Sequence, residues 1–355
     1  MLNYEGMKRP TDILSRVSRV SRVSVAVVSI TLLIAGCSTG AGGESNDDTS
    51  SQELTKITVA NNTRGLEFVA IEKGFFKDHG LEVKSISMPD ISSIPALVGK
   101  QFDFGISTQN LVIAASAKGI DVVVTGGGNA ETEEARNYGL VTLEKSGISK
   151  PSDLVGKTVG VPAPNGSIPL ALKYWLKENN VQPDKVNLIQ VSFANMKDQL
   201  EADRVDAVFE VSPFLEDLMS VPGTVNLGDP FLSVAPDQTT MGSITISDRA
   251  WAEANLDIVK RYQAAQMDAA KFIEENPEEA NQITGKAAGL SADAIAKMTT
   301  LHYSAVTPLS DLENWLHAMQ EISGFEGEVD LEGLIVQPLL DTDACFLPVW
   351  NIGNC

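Results

Sequence analysis

The sequence is poor in the side chains that most enzymes use for chemistry. It has three histidines in 355 residues, His79, His302 and His317. None stands in an HExxH pair or beside a nucleophile motif, so a zinc hydrolase or a Ser-His-Asp catalyst has little to draw on. The three cysteines, Cys37, Cys345 and Cys355, form no CxxC, which leaves no thiolate metal knuckle or redox dithiol of ordinary spacing. Neither catalytic residues nor a metal or other cofactor are expected. Basic residues are scarce as well: 27 Lys and Arg stand against 47 Asp and Glu, a formal charge of -20. So acidic a surface repels phosphate backbones, and nucleic acid is not an expected partner. No apolar run reaches the roughly 18 residues of a membrane-spanning helix. What is present is an ordinary globular mix, 43% apolar and 21% charged, in a chain long enough for two domains.

The first 36 residues read as an address rather than a fold. Lys8, Arg9, Arg16, Arg19 and Arg22 precede an apolar run over 23–35, short enough for the core of a signal peptide. The run ends in Ile34-Ala35-Gly36-Cys37, which resembles the bacterial lipobox. That resemblance implies removal of 1–36 and acylation of Cys37, with diacylglyceryl and palmitate chains anchoring the protein on the extracytoplasmic face of the cell membrane. Residues 38–52 contain no apolar side chain except Ala41, so 37–54 reads as a flexible tether.

From there the pattern alternates strand and helix. Strands are expected at 57–60, 81–88, 102–106 and 122–124, and again at 158–161, 187–191 and 207–211. Helices are expected at 66–73, 91–99, 111–117, 170–177 and 197–202, then at 251–275, 292–302 and 312–322. Ser310 and Glu313 have the spacing of a capping box. Strands separated by helices predict parallel α/β sheets. Segments 138–143 and 242–247 read as crossovers between two lobes. The first lobe then takes 55–143 and 246–355 and the second takes 144–245, joined by a two-strand hinge over a ligand cleft. Gly126-Gly127-Gly128-Asn129 follows a strand, but the third glycine of a dinucleotide fingerprint falls at Glu131, so a Rossmann reading is weak.

Five segments, in order, carry a resemblance to a known family: EKGFFKDHGLEV at 72–83, ALVGKQFDFG at 96–105, SGISKPSDLVGKTVGVP at 146–162, LEADRVDA at 200–207 and NPEEA at 276–280. They resemble the solute-binding proteins of ABC importers in the sulfonate, nitrate and taurine branch and the thiamine-pyrimidine-precursor (NMT1/THI5-like) branch. The resemblance implies a type II periplasmic-binding-protein fold. It also implies a small organic solute as ligand, an ABC permease with its ATPase as partners, and a monomer that works by hinge closure. The GSxxH histidine of sulfonate-binding members is missing after Gly166-Ser167, which puts a simple alkylsulfonate in doubt; an anionic or zwitterionic solute is expected, with a heterocyclic pyrimidine precursor as the alternative. Enzymes of pyrimidine synthesis share the fold, but this chain lacks their Cys-rich motif. A surface sensor that reports a ligand to a receptor is the remaining alternative.

Ligands of open α/β sheets bind beyond the carboxyl ends of the strands. That rule and the resemblance select the same loops, carrying Asn62, Thr63 and Arg64, then Ser107, Thr108 and Gln109, then Asn165, Gly166 and Ser167, and last Glu210 and Pro213. Each has a plainer alternative. Asn62, Thr108 and Ser167 suit helix N-caps as well as ligand contacts. Arg64 suits a carboxylate or sulfonate clamp, or a pair with Glu67. Glu210 suits an amine or amide of the ligand, or a helix cap. Phe75 and Phe76 read as core. Asp103 and Asp206 read as turn residues, and Asp203 as a residue tolerant of the left-handed region. Cys345 and Cys355, the cysteines left once Cys37 is acylated, are expected to form a disulfide in an oxidising compartment.

Overall fold

The computed structural model describes residues 53–61, 65–88, 91–163, 165–235 and 239–337. The leader, nearly all of the tether with Cys37, the loop residues Asn62, Thr63 and Arg64, and Cys345 and Cys355 lie outside the described residues.

In chain order the strands are β1 (Thr55–Asn61), β2 (Leu81–Ser87), β3 (Phe104–Ser107), β4 (Val122–Gly126), β5 (Asn129–Glu131), β6 (Tyr138–Leu143), β7 (Thr158–Val161), β8 (Asn187–Gln190), β9 (Ala207–Val211), β10 (Thr224–Asn226), β11 (Thr240–Met241), β12 (Ile244–Asp248) and β13 (His302–Tyr303). The helices are α1 (Leu66–Lys73), α2 (Phe75–Asp78), α3 (Gln109–Ser116), α4 (Ser167–Glu178), α5 (Phe193–Glu201), α6 (Phe214–Met219), α7 (Arg249–Ala254), α8 (Leu256–Glu275), α9 (Pro277–Ala287), α10 (Ala292–Ile295) and α11 (Leu309–Ser323).

Two five-stranded sheets form the centres of two lobes. The first has the order β2-β1-β3-β12-β4 and the second β10-β6-β9-β7-β8. In each, three strands run parallel as expected: β2, β1 and β3 in the first, β8, β7 and β9 in the second. A short third sheet, β11-β5-β13, lies where the chain passes between the lobes. The two lobes repeat one local device. Asp103, just before β3, accepts hydrogen bonds from the Thr58 N–H and hydroxyl of β1, at 2.7 and 2.9 Å. Asp206, just before β9, accepts the Thr158 N–H of β7 at 2.8 Å. Each aspartate stitches the start of its strand to the neighbouring parallel strand, which is the turn role expected of both.

The first lobe's core forms where α8 lays one face on the sheet. Val259, Tyr262, Gln263, Ala265, Gln266, Ala269, Ala270 and Ile273 are its buried residues, a helical stripe. Tyr262 stacks on Phe104 with centroids 4.3 Å apart and meets Phe76 at 5.0 Å. Phe76 is core, as expected, and Phe75 packs at its edge against Phe272. Gly74, at φ 85°, ends α1 in the left-handed region. Asp203, at φ 54°, adopts the same region within the LEADRVDA turn.

Six expectations are corrected. Residues 138–143 are not a crossover: β6 pairs along its length with β9, from Tyr138 opposite Val211 to Thr142 opposite Ala207. Residues 242–247 are not one either, because β12 is inserted antiparallel between β3 and β4. The chain changes sheet instead in 132–137 and 227–239, so by pairing the second lobe takes in β6 and the first lobe takes back Ile244 and Thr245. Alternating apolar residues mark a strand but do not name its partner. The expected helix 91–99 is a 3-10 turn, Ile91–Ala96, with Pro95 inside it. The expected helix 251–275 breaks at Asn255 into α7 and α8, and 292–302 shrinks to α10 while His302 and Tyr303 join β5. Ser310 caps nothing: α11 starts earlier, with Pro308 at its N-cap, and Ser310 lies in its first turn.

α11 belongs to both lobes. It packs on α3 of the first and on α4 of the second. Its Trp315, Ala318 and Met319 share one core cluster with Ile113 of α3 and with Ile168, Leu172 and Phe231 of the second-lobe side.

Candidate functional site

The parallel strands set the geometry. Val59 and Ala60 of β1 pair with Phe104 and Gly105 of β3, so the carboxyl ends of β1 and β3 lie side by side. Val159 and Gly160 of β7 pair with Ala207 and Val208 of β9, which does the same for the carboxyl ends of β7 and β9. The two lobes meet at these ends. Asn110, in the first turn of α3, donates from Nδ2 to the carbonyl of Asn165 in the loop that opens α4, at 3.5 Å.

On the first lobe Ser107, Thr108 and Gln109 are all buried. Thr108 is the N-cap of α3, yet its hydroxyl makes no cap bond and donates instead to Asn110 Oδ1 at 2.8 Å. A relay therefore runs from Thr108 through Asn110 to the facing lobe. Ser107 Oγ is buried and has no hydrogen-bond partner among the described residues. Gln109 is turned away from the strand ends. Its Nε2 donates to the Met241 carbonyl at 2.6 Å and contacts Asp311 Oδ2. Asp311 Oδ1 in turn accepts the Thr240 hydroxyl at 2.6 Å and the Met241 N–H at 3.1 Å, and Trp315 Nε1 donates to the same Thr240 oxygen at 2.9 Å. Gln109 thus bolts α3 to α11 and β11, a structural role that spacing did not reveal.

On the second lobe Asn165 is exposed and Gly166 half-buried. The N-cap of α4 is Gly166, not Ser167; Ser167 is the first helical residue and is buried. Glu210 is fully buried at the end of β9. It lies opposite Gly139 in β6, where Leu215 of α6 fills the space a side chain would take, and by alternation it shares a face with Val208. Its Oε1 accepts the Val211 N–H at 3.0 Å, while Oε2 has no donor among the described residues. Burial, with a smaller contribution from the charge of Glu216, pushes its carboxyl up to about 8. Glu210 is therefore a neutral acid at pH 7, and not a helix cap. Pro213 is the N-cap of α6.

Three further carboxyls are buried. Glu67, in the first turn of α1, accepts Asn61 Nδ2 at 2.7 Å, and burial raises its carboxyl to about 7. Glu131 of β5 accepts the Asn137 N–H at 2.7 Å and Asn129 Nδ2 at 3.1 Å, and burial followed by the nearby Asp229 holds it well above the ordinary range. Asp229 accepts the Phe231 N–H at 2.9 Å and is raised by burial to about 7. Glu131 ends β5, just before the outgoing crossover, and Asp229 lies on the returning one, so an acidic pair is buried at the lobe connection. Lone acidic residues in short linking segments carry no sequence signal for such a meeting.

The glycine run after β4 has a packing explanation. A Cβ on Gly127 would stand 2.2 Å from the Ser304 carbonyl, and one on Gly128 would stand 2.4 Å from Ser243 Oγ. Gly127 N–H donates to the Ala305 carbonyl, and Ser304 N–H to that of Gly128, both at 2.9 Å. These glycines admit two neighbouring chains, and no phosphate cradle is needed to account for them. Among the described residues no cluster of three or more His, Cys, Asp and Glu could hold a metal, and no helix is long and apolar enough to cross a membrane.

Two α/β lobes, linked by two crossovers and meeting at the carboxyl ends of their strands, define the type II periplasmic-binding-protein fold. The alkanesulfonate-binding protein SsuA of Xanthomonas axonopodis pv. citri, solved bound to MOPS, has that fold: it superposes with a TM-score of 0.67 at 15% identity, over 80% of this chain and 99% of its own. Residues 62–280 match the NMT1/THI5-like family profile, and the chain belongs to that family. The formylaminopyrimidine-binding protein of Halalkalibacterium halodurans is 23% identical over 261 residues, 72% of this chain and 76% of that protein. A 4-amino-5-hydroxymethyl-2-methylpyrimidine phosphate synthase of Schizosaccharomyces pombe is 32% identical over 104 residues, 29% of each chain.

Proposed function

We propose that the chain is the extracytoplasmic solute-binding lipoprotein of an ABC importer, which closes its two lobes on a small organic solute and hands it to the permease and its ATPase. The observation that supports this most is the facing of strand carboxyl ends across the lobes, lined by the Thr108–Asn110–Asn165 relay. A ligand touching both sides favours the closed arrangement by its differential affinity. Cys37 is the acylated residue in this reading, and Cys345 and Cys355 form a disulfide.

The solute class follows from the acceptors. Glu210 presents a buried oxygen with no donor from the described residues. A neutral carboxyl there suits an amine or ring N–H better than a second acid. Ser167 opens α4 without a side-chain cap, and a helix N-terminus there, with the acid-binding role expected of Arg64, suits an anionic or strongly polar group. A heterocycle carrying both fits the set, in line with the formylaminopyrimidine-binding relative. A bare alkylsulfonate is the second reading, carried by the fold match to SsuA.

A panel of aminopyrimidines, sulfonates, carboxylates and flavins, screened by thermal shift, tests this. A bound solute at a hundred times its Kd stabilises by about 2.7 kcal/mol. The expected result is a rise with aminopyrimidines that Glu210→Gln weakens. No rise with any compound, together with turnover of one of them, would replace binding by catalysis.

A further inference from the structure

Glu216 carries no signal in the sequence, yet it joins two distant parts of the fold. It lies on α6 of the second lobe, one turn after the cis Ser212–Pro213 bond. Its Oε1 accepts two hydrogen bonds from different places. One is local, from the Ser212 hydroxyl at 2.7 Å. The other comes from the Thr299 N–H at 3.2 Å. Thr299 follows α10, which packs on α9, and α9 packs on α1 and α8 of the first lobe. The second bond therefore spans the lobes, and its donor is 83 residues further along the chain.

We infer that Glu216 is a polar latch that holds the two lobes together on the α6 side, opposite numbers to the Asn110–Asn165 contact on the α3 side. The inference rests on the hinged, solute-binding reading above and adds to it the residue that sets how far the lobes close before any solute arrives. Three observations support it. A backbone N–H aimed at a carboxylate is a charge-assisted bond, among the stronger kinds. Thr299 lies in a stretch with neither helix nor strand, where its N–H has no ladder to join. The Ser212 hydroxyl fixes the Glu216 rotamer from within its own lobe, so the acceptor is already aimed when the lobes approach.

Solute-free protein is the right sample, because the latch must act without ligand. Wild type, Glu216→Ala, Glu216→Gln, Ser212→Ala and Thr299→Pro would be compared by amide hydrogen exchange over 296–301 and by small-angle scattering. Circular dichroism confirms that each variant is folded. Glu216→Ala should speed exchange of the Thr299 amide by about tenfold or more, the factor that loss of a charge-assisted bond implies, and should raise the radius of gyration. Thr299→Pro, which removes the donor and leaves the carboxylate, should raise the radius equally. Glu216→Gln, which keeps an acceptor oxygen, should show a smaller shift, and Ser212→Ala a smaller one still. Unchanged Thr299 exchange in Glu216→Ala overturns the inference. So does faster Thr299 exchange in Glu216→Ala with an unchanged radius in both Glu216→Ala and Thr299→Pro, since the bond then exists but holds nothing. Neither result bears on whether a solute binds, which the thermal-shift panel decides separately.

Discussion

At the scale of single residues, buried carboxyls set how this protein responds to pH. Glu67 is 3% exposed and titrates near 7 in the fold against 4.5 for the free side chain. The folded state thus keeps a proton that the unfolded chain releases earlier. Its contribution is fully present below about pH 4.5 and is lost as pH rises through 7, with a limit on the order of 3 kcal/mol. Glu210 and Asp229 act in the same direction, up to about 8 and 7. Melting temperature should therefore fall between pH 5 and 8.5. Glu67→Gln keeps an acceptor for Asn61 and should flatten that fall, so that the variant outlasts wild type at pH 8. Identical slopes for the two proteins would show that Glu67 is not the group that titrates. Gly127 offers a second test. The added methyl of Gly127→Ala meets two carbonyls, those of Ser304 at 2.2 Å and Val306 at 2.7 Å. Backbone on both sides cannot swing away, so the cost should reach about 1–3 kcal/mol or more, read as a lower denaturation midpoint. A neutral outcome would mean that the 304–306 stretch yields.

At the scale of elements, α11 carries more than its amphipathic pattern suggests. Trp315 is fully buried, tilts on Phe231 at 5.0 Å and donates to Thr240. Phe231 in turn stacks on Tyr138 at 4.4 Å. The column joins a helix, the returning crossover and the first strand of the second lobe. Trp315→Ala should cost roughly 3–5 kcal/mol. It should also change how the lobes unfold. Wild type, with one shared core, is expected to unfold in a single transition, and the variant in two, as followed by calorimetry. One sharp transition in the variant would show that the lobes are coupled by other contacts. The same helix shows why the capping box misled. Ser310 and Glu313 have the right spacing, but Pro308 starts the helix and Asp311 turns inward to Thr240 and Met241. Spacing alone did not tell where the helix begins, nor that Asp311, between the two box residues, would bolt two elements together.

At the scale of the whole molecule, the export address can be tested apart from the lobes. Cys37→Ser should leave an unprocessed precursor without lipid label, and label in that variant would remove the anchor from the account. The order of the five family segments, the parallel strands of both sheets and the loops at their carboxyl ends were all legible in the sequence. Apolar periodicity and turn residues are local, and these features depend on them. Asp103 and Asp206 were legible as turn residues for the same reason. The chain alone did not place β6 and β12, because an antiparallel strand inserted from far along the sequence has the same alternation as any other. Nor did it show that Gln109 bonds to Asp311, that Glu131 and Asp229 meet across the crossovers, or that Glu216 reaches Thr299. Such pairs join residues separated by 83 to 202 positions or lie in linking segments without periodicity. Sequence by itself determined the class of fold, the family and the parallel strands of each lobe. Tertiary structure decided which polar groups at their carboxyl ends stay available and which are consumed in holding the lobes, because burial and partner choice are properties of the packed chain.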